Sequence, residues 1–344
     1  MAYSDIDKPS DYFNTTLWNG NNSTQSITGV GFQPDLVWTK ARNIDYGHSL
    51  FDIVRGTTKR LISSGTDAES TISGVTSFDS DGFTLGSNAN CNESTRTYVG
   101  WNWLAGGTAS SNTDGTITSS VSANTTAGFS VVSFTSNNTS GATIGHGLGV
   151  APSMVIIKRR SSSEDWGVGH QSLGWTKFIR LNTDGAEGTS TGLWNDTAPS
   201  STVVTLGNSG ISNPTSGTTM IAYCFAEKKG FSKFGSYVGN GNADGTFIYT
   251  GFRVGWLLVR RTDGSADWLI FDAERNTFNV VDKFLEPNTS DAEATESTSG
   301  YEIDFDFTSN GFKLRGPAGG INSNGANYIY MAFAETPFKY SNAR

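Results

Sequence analysis

The chain carries three copies of one pattern, and this restricts its fold more than any other property. The run Gly31–Arg42 (GFQPDLVWTKAR) has counterparts in Gly149–Arg160 (GVAPSMVIIKRR) and Gly251–Thr262 (GFRVGWLLVRRT). Glycines 31, 149 and 251 align, and so do the basic residues Lys40, Lys158 and Arg260. A second block, Val99–Trp103 (VGWNW), matches Ile221–Phe225 (IAYCF) and Ile329–Phe333 (IYMAF). The last two continue identically as Ala226–Glu227 and Ala334–Glu335. Between the blocks lie Phe51, Phe178 and Phe271. A glycine-hydrophobic corner also recurs at Gly82–Phe83, Gly210–Ile211 and Gly311–Phe312. Four landmarks in the same order, three times over, describe one supersecondary unit of about a hundred residues repeated in tandem.

The unit reads as all-β. No apolar pattern with a 3.6-residue period persists for three turns. What recurs is short runs of β-branched and aromatic residues separated by Gly, Asn, Asp and Ser. Tyr301–Phe307 (YEIDFDF) alternates cleanly, with Ile303, Phe305 and Phe307 on one face and Glu302, Asp304 and Asp306 on the other. The expected architecture is therefore three tandem β-sandwich repeats of jelly-roll or lectin-like type. The repeats are placed at 1–107, 129–228 and 246–344. Segment 108–128 is read as a Gly/Ser/Thr-rich linker with a short strand near 115–121, and 229–245 as a junction. Tyr12–Trp18, Phe129–Phe134 and Thr246–Tyr249 are expected to open the three repeats. The runs Met154–Ile157, Met220–Ala226 and Trp256–Val259 are apolar without interruption, whereas a simple sandwich strand buries one face. They imply that the second face is covered too, by a neighbouring repeat or by a partner.

Composition narrows the function. Lys plus Arg number 24 and Asp plus Glu 32, a formal charge of −8. That sign argues against nucleic acid and against an anionic membrane surface. No stretch approaches the apolar length that spans a bilayer, and the first residues lack the basic start and apolar core of a signal peptide. With 21 Phe, 11 Tyr and 9 Trp, the chain has enough large apolar surface to fold despite its low charged content.

Little in the sequence points to chemistry. His48, His146 and His170 occupy different repeat positions, in turn-like settings, and form no metal-ligand spacing. Cys91 and Cys224 fit neither a disulfide framework nor a metal motif. Asp79–Gly82 (DSDG) resembles part of a calcium loop but lacks the closing bidentate glutamate. Gly239–Asn242 (GNGN) has no following helix to cradle a phosphate. Glu302, Asp304 and Asp306 are the remaining candidates for a cation or a carboxylate pair, against the simpler reading of a solvated strand face. No catalytic residue, cofactor or metal is assigned. Trp38, Trp101, Trp103 and Trp256 fall on repeat landmarks and are expected in the core. Trp18, Trp166, Trp175, Trp194 and Trp268 fall outside the shared strands and are candidates for a glycan contact.

Several phrases resemble a repeat family of marine bacteriophages of cyanophage type, described as virion structural or tail-associated proteins. They are the opening MAYSDIDKPSDYFNTTLW, the Gly31–Arg42 run, Phe78–Gly86 (FDSDGFTLG), Tyr98–Gly107 (YVGWNWLAGG) and Phe231–Phe252 (FSKFGSYVGNGNADGTFIYTGF). The likeness extends over essentially the whole chain, although the second repeat lacks the Asp-Ser-Asp-Gly-Phe turn. It implies a non-enzymatic virion part, made in the host cytoplasm and exposed on the particle, as a tail fibre or appendage component. A capsid decoration protein is the near alternative, and a lectin or carbohydrate-active module the alternative of another class. The implied partners are other virion proteins, further copies of the chain and a host surface glycan, without nucleic acid or membrane insertion. The resemblance carries over no catalytic or binding residues.

Overall fold

A computed structural model describes residues 6–299 and 302–336. It is all-β and is built from antiparallel sheets. Twelve strands form the centres of three large sheets. The first has β1 (Phe13–Asn19), β2 (Leu36–Ala41), β3 (Ser49–Asp52) and β4 (Thr97–Trp103). The second has β5 (Phe129–Thr135), β6 (Met154–Arg159), β7 (Gly167–His170) and β8 (Thr219–Phe225). The third has β9 (Ser232–Val238), β10 (Arg253–Arg261), β11 (Leu269–Asp272) and β12 (Asn327–Thr336). The spatial orders are β1-β4-β2-β3, β5-β8-β6-β7 and β9-β12-β10-β11, so one arrangement occurs three times. Register matches as well: Trp103 faces Leu36, Phe225 faces Met154 and Phe333 faces Trp256.

The uninterrupted apolar runs are explained by two cores, one on each face of the large sheets. In β6, Met154 and Ile156 point to a core shared by all three sheets, while Val155 and Ile157 point to a local one. In β10, Trp256 and Leu258 enter the shared core, and Leu257 and Val259 a local one. β8 divides in the same way, with Tyr223 and Phe225 inward and Ala222 and Cys224 outward. A small sheet or strand pair closes each local core. These are Gln25–Thr28, Gly82–Leu85 and Val75–Asp79; then Thr143–Gly145 with Val203–Thr205; then Phe247–Tyr249, Gly311–Leu314 and Phe305–Thr308. Phe13, Trp103, Phe129, Phe225, Trp256 and Phe333 meet in the shared core. Each such burial stabilises by roughly 1.5–3 kcal/mol, so the sheets are held to one another and are not independent modules.

The structure corrects several boundaries. Segment 108–128 is not a free linker. Ser110–Asn112 and Ser119–Asn124 add two strands to the outer edge of β5. The 229–245 junction contains β9, so Ser232–Val238, and not Thr246–Tyr249, opens the third large sheet. Phe234 is buried in the shared core and Tyr237 in the local one, aromatic positions that the neighbouring glycines and asparagines disguise as turn composition. Phe178 is not the counterpart of Phe51 and Phe271. That position in β7 is Gly169, where a methyl group would meet Trp175 Cζ3 at 2.4 Å. The indole of Trp175 therefore fills the space a phenyl ring takes elsewhere. Gly210–Ile211 lies in a turn after Val203–Thr205, whereas Gly82 and Gly311 begin strands. Ile303, Phe305 and Phe307 are all buried, as the alternation at 301–307 implies, but the strand is shorter, Phe305–Thr308, and Ile303 precedes it. Tyr301 lies outside the described residues.

Candidate functional site

The five tryptophans proposed for glycan contact are all core residues, each less than a tenth exposed, and none presents a ring face on which a sugar could stack. Trp18 stacks on Tyr98 at 5.5 Å and donates to the Cys91 carbonyl at 3.0 Å. Trp166 donates to the Ile62 carbonyl, and Trp268 to the Arg180 carbonyl, both at 2.8 Å. Trp175 and Trp194 pack edge to face at 5.5 Å. Their apolar area outweighs the polar neighbours in sequence that suggested exposure. Trp38, Trp101, Trp103 and Trp256 are core residues, as expected.

The histidines are buried, not exposed in turns. His48 Nδ1 accepts from Trp38 Nε1 at 3.0 Å. Burial, with Lys40 and Arg275 nearby, holds its pKa well below the ordinary value. His170 Nδ1 accepts from the Ser172 N–H at 3.1 Å, and Nε2 lies 3.2 Å from the Tyr330 carbonyl. Burial pushes His170 down to about 4, so its ring is neutral at pH 7 and Nε2 is the donor. His146 accepts from the Leu148 N–H and faces the Ser200 carbonyl. All three rings therefore have structural partners. Cys91 and Cys224 are fully buried free thiols, pushed up by burial to about 11 and about 12.

The densest polar chemistry lies where the large sheets meet. Asp52, at the end of β3, receives Arg55 Nε and the Tyr223 hydroxyl of the second sheet, the latter at 2.8 Å. Asp272, at the end of β11, receives Arg275 Nε at 2.6 Å and Trp101 Nε1 of the first sheet at 3.0 Å. Arg55 and Arg275 go on to Glu69 and Glu293. The matching position in β7 is His170, which faces the third sheet where Met331 stands in the place of Trp101 and Tyr223. Methionine has no N–H or O–H to offer a carboxylate, and here the histidine bonds a carbonyl instead. The signal for these networks is the phrase Phe-Asp-x-x-Arg at 51–55 and at 271–275, which a search for catalytic spacings passes over.

The basic landmark residues cross between sheets in one rotational sense. Lys40 Nζ donates to the Ser290 carbonyl at 3.1 Å, Lys158 Nζ to Thr66 at 3.0 Å, and Arg260 Nη2 to Gly185. Backbone N–H groups return the link: Glu293 to Arg42, Glu69 to Arg160 and Glu187 to Thr262. Arg42 and Arg160 also pair with Glu293 and Glu69. Burial raises Glu69 and Glu293, but the facing guanidinium groups outweigh it and leave both below the usual carboxylate range. Burial lowers Lys40 and Lys158 to about 8 each.

The other sequence candidates are dispersed. Asp306 pairs with Arg315 at 2.5 Å, and Glu302 is exposed. Asp79 accepts from Ser77 and Thr84, and Asp81 from the Gly29 and Gly31 N–H groups. Asn322 clasps the 239–242 turn, bonding Asn240 and the Asn242 carbonyl. Among the described residues, no group of three or more His, Cys, Asp or Glu side chains could hold a metal ion.

Two of the surface pockets that border the third sheet carry charges of both signs. One, of about 240 Å³, contains Glu286, Asp267 and Arg261. Burial, with Asp267 and Asp291 nearby, pushes Glu286 up to about 7. The other, of about 200 Å³, lies between residues 227–233 and 249–251 and has Tyr249 on one wall. Phe247 and Tyr249 are 44 % and 59 % exposed, and so present the aromatic faces that the tryptophans do not.

No curated protein and no solved structure matches the chain. A family model, described as a domain of unknown function (DUF7483), matches residues 8–337. The match spans nearly the whole sequence and takes in all three large sheets: the chain belongs to the DUF7483 family.

Proposed function

We propose that this protein is a non-catalytic structural component of a bacteriophage particle, displayed on its exterior as a tail fibre or appendage part serving assembly or host attachment. In this reading the three large sheets, each with its small partner, are diverged copies of one β-sandwich closed into a ring. The observation that carries the reading is the cyclic set of links through Lys40, Lys158 and Arg260. Buried ionisable groups that an enzyme would turn toward a cleft here tie one sheet to the next. Such a body is a stiff spacer, with its outer surfaces left for docking to other virion proteins and to further copies of itself. The resemblance of its phrases to phage repeat proteins supports the same conclusion.

The test is to purify particles of a phage encoding the chain by density banding and to digest them for mass spectrometry. Antibody against the purified protein, followed by gold labelling, then locates it. Peptides in the banded particle and label on the tail or its appendages are expected. Absence from intact particles would end the proposal, and label on the head would move the protein to a decoration role.

A further inference from the structure

We infer that the outer edge of β1 is a docking surface for a second copy of this chain, the two β1 strands pairing antiparallel about a two-fold axis at Leu17. This rests on the reading that copies of the chain dock to one another, and gives that docking a surface. The ladder between β1 and β4 sets which groups face outward. Leu104 donates to the Tyr12 carbonyl and Gly20 to the Arg96 carbonyl, at the two ends of the ladder and in register with it. Antiparallel strands exchange bonds at every second residue. Asn14, Thr16 and Trp18 therefore bond β4, while Thr15, Leu17 and Asn19 turn their backbone groups away from it.

The three large sheets treat this matching edge differently. Along β5 the chain fills it with its own strand, Ser119–Asn124. Along β9 side chains cap it: the Phe234 N–H donates to Glu227 Oε2 at 3.4 Å, and the Phe234 carbonyl accepts Gln171 Nε2 at 2.7 Å. Along β1 two outward groups are occupied, the Thr15 N–H by Asn14 Oδ1 at 3.0 Å and the Asn19 carbonyl by Gln25 Nε2 at 3.2 Å. Among the described residues, the Leu17 N–H and carbonyl, the Thr15 carbonyl and the Asn19 N–H have no hydrogen-bond partner. β1 also lacks the charged residues and prolines that guard natural sheet edges, and Leu17 stands 41 % exposed on it.

The free groups select the occupant because they complement themselves. With Leu17 opposite Leu17 of the second copy, Thr15 lies opposite Asn19. Each Leu17 N–H then meets the other Leu17 carbonyl, and each Asn19 N–H meets a Thr15 carbonyl. The two groups already occupied, the Thr15 N–H and the Asn19 carbonyl, fall opposite one another and need no further partner. Both leucines come together on one face and leave water. An unrelated strand added to this edge could use the same bonds, but nothing in it would be bound to match the two occupied positions.

Sedimentation equilibrium of the intact chain over a range of concentrations tests this, and a monomer–dimer equilibrium is expected. Leu17→Pro removes an outward N–H and no bond to β4, a substitution that edge strands accept. It should raise the dimer dissociation constant about thirtyfold or more. Leu17→Lys, which sets two like charges face to face, should also disrupt the dimer and serves if the proline variant does not fold. Oxidation by copper phenanthroline should link Leu17→Cys into a covalent dimer, because Leu17 is its own partner. Ser236→Cys, at the matching exposed position of β9, should stay unlinked, and the native Cys91 and Cys224 are buried. A monomer at every concentration, a dimer unaffected by the Leu17 variants, or equal linking of Ser236→Cys would overturn the inference. Particle composition is read separately: a dimer in solution with no peptides in banded particles would end the virion reading and leave the surface standing.

Discussion

Phe333→Ala addresses the shared core directly. The ring is 2 % exposed and lies 4.9 Å from Phe13, 5.4 Å from Phe231 and 5.9 Å from both Trp103 and Trp256. Phe225 and Phe234 follow at 6.4 and 6.5 Å. Removing a buried phenyl ring costs about 3–5 kcal/mol, and the loss of so many ring contacts puts this site near the upper end, about 5 kcal/mol. With an unfolding entropy of ~2.1 cal/mol/K per residue, that is a fall in Tm of about 7 °C. Phe333→Leu, which nearly conserves volume, should cost about 1–1.5 kcal/mol and serves if the alanine variant does not fold. Guanidinium unfolding followed by hydrogen exchange reads the result. Because the ring touches residues of all three large sheets, one transition should shift as a whole. Exchange should accelerate together in β1, β5 and β9. Acceleration confined to β9–β12, with β1 and β5 unchanged, would refute the claim that one core governs all three sheets.

Tyr223→Phe removes one donor from the buried Asp52 carboxylate and should cost about 1.5–3 kcal/mol in denaturant unfolding; a change below 0.5 kcal/mol, judged against that range, would mean that Arg55 and the Val54 N–H satisfy Asp52 without the tyrosine. Gly169→Ala drives a methyl group into Trp175 and should destabilise by about 1–3 kcal/mol, with a shifted tryptophan emission; an unchanged midpoint would show that the ring moves aside freely. Glu286 has a pKa raised above that of the unfolded chain, so its contribution is complete below about pH 4.5 and is lost as pH rises through about 7. Linkage sets an upper limit of about 3 kcal/mol, lowered to about 1–2 kcal/mol by partial exposure. Glu286→Gln should therefore gain that much stability at pH 8 relative to pH 5, and a parallel pH profile for both proteins would remove the assignment.

The central strands of the large sheets were legible because they rest on runs that tolerate little change. Met154–Ile157 and Trp256–Val259 are apolar on both faces because both faces are buried, and burial constrains composition strongly. The inference that something covers the second face was correct, and the cover is the other two sheets. Exposure of single aromatic residues was not legible. Trp166 and Trp268 sit next to Asp165 and Asp267 in sequence, yet the indoles turn inward to bond carbonyls of the adjacent sheet. A local window cannot contain a contact made across about a hundred residues. β9 was lost for the opposite reason: Gly235 and the exposed Ser236 separate the buried Phe234 and Tyr237 and give the segment the look of a turn. The partners of His48 and His170 likewise come from other strands, so spacing along the chain says nothing of their burial.

The rotational run of links through Lys40, Lys158 and Arg260 has an evolutionary corollary. A linear array can lengthen by adding modules at its ends, but here the last sheet is already bonded to the first. A fourth module would find no seat, and deleting one would lay bare a wall of tryptophan and phenylalanine to water. The number three is thus fixed by geometry, and members of this lineage should vary in loop length and outer surface while holding the count constant.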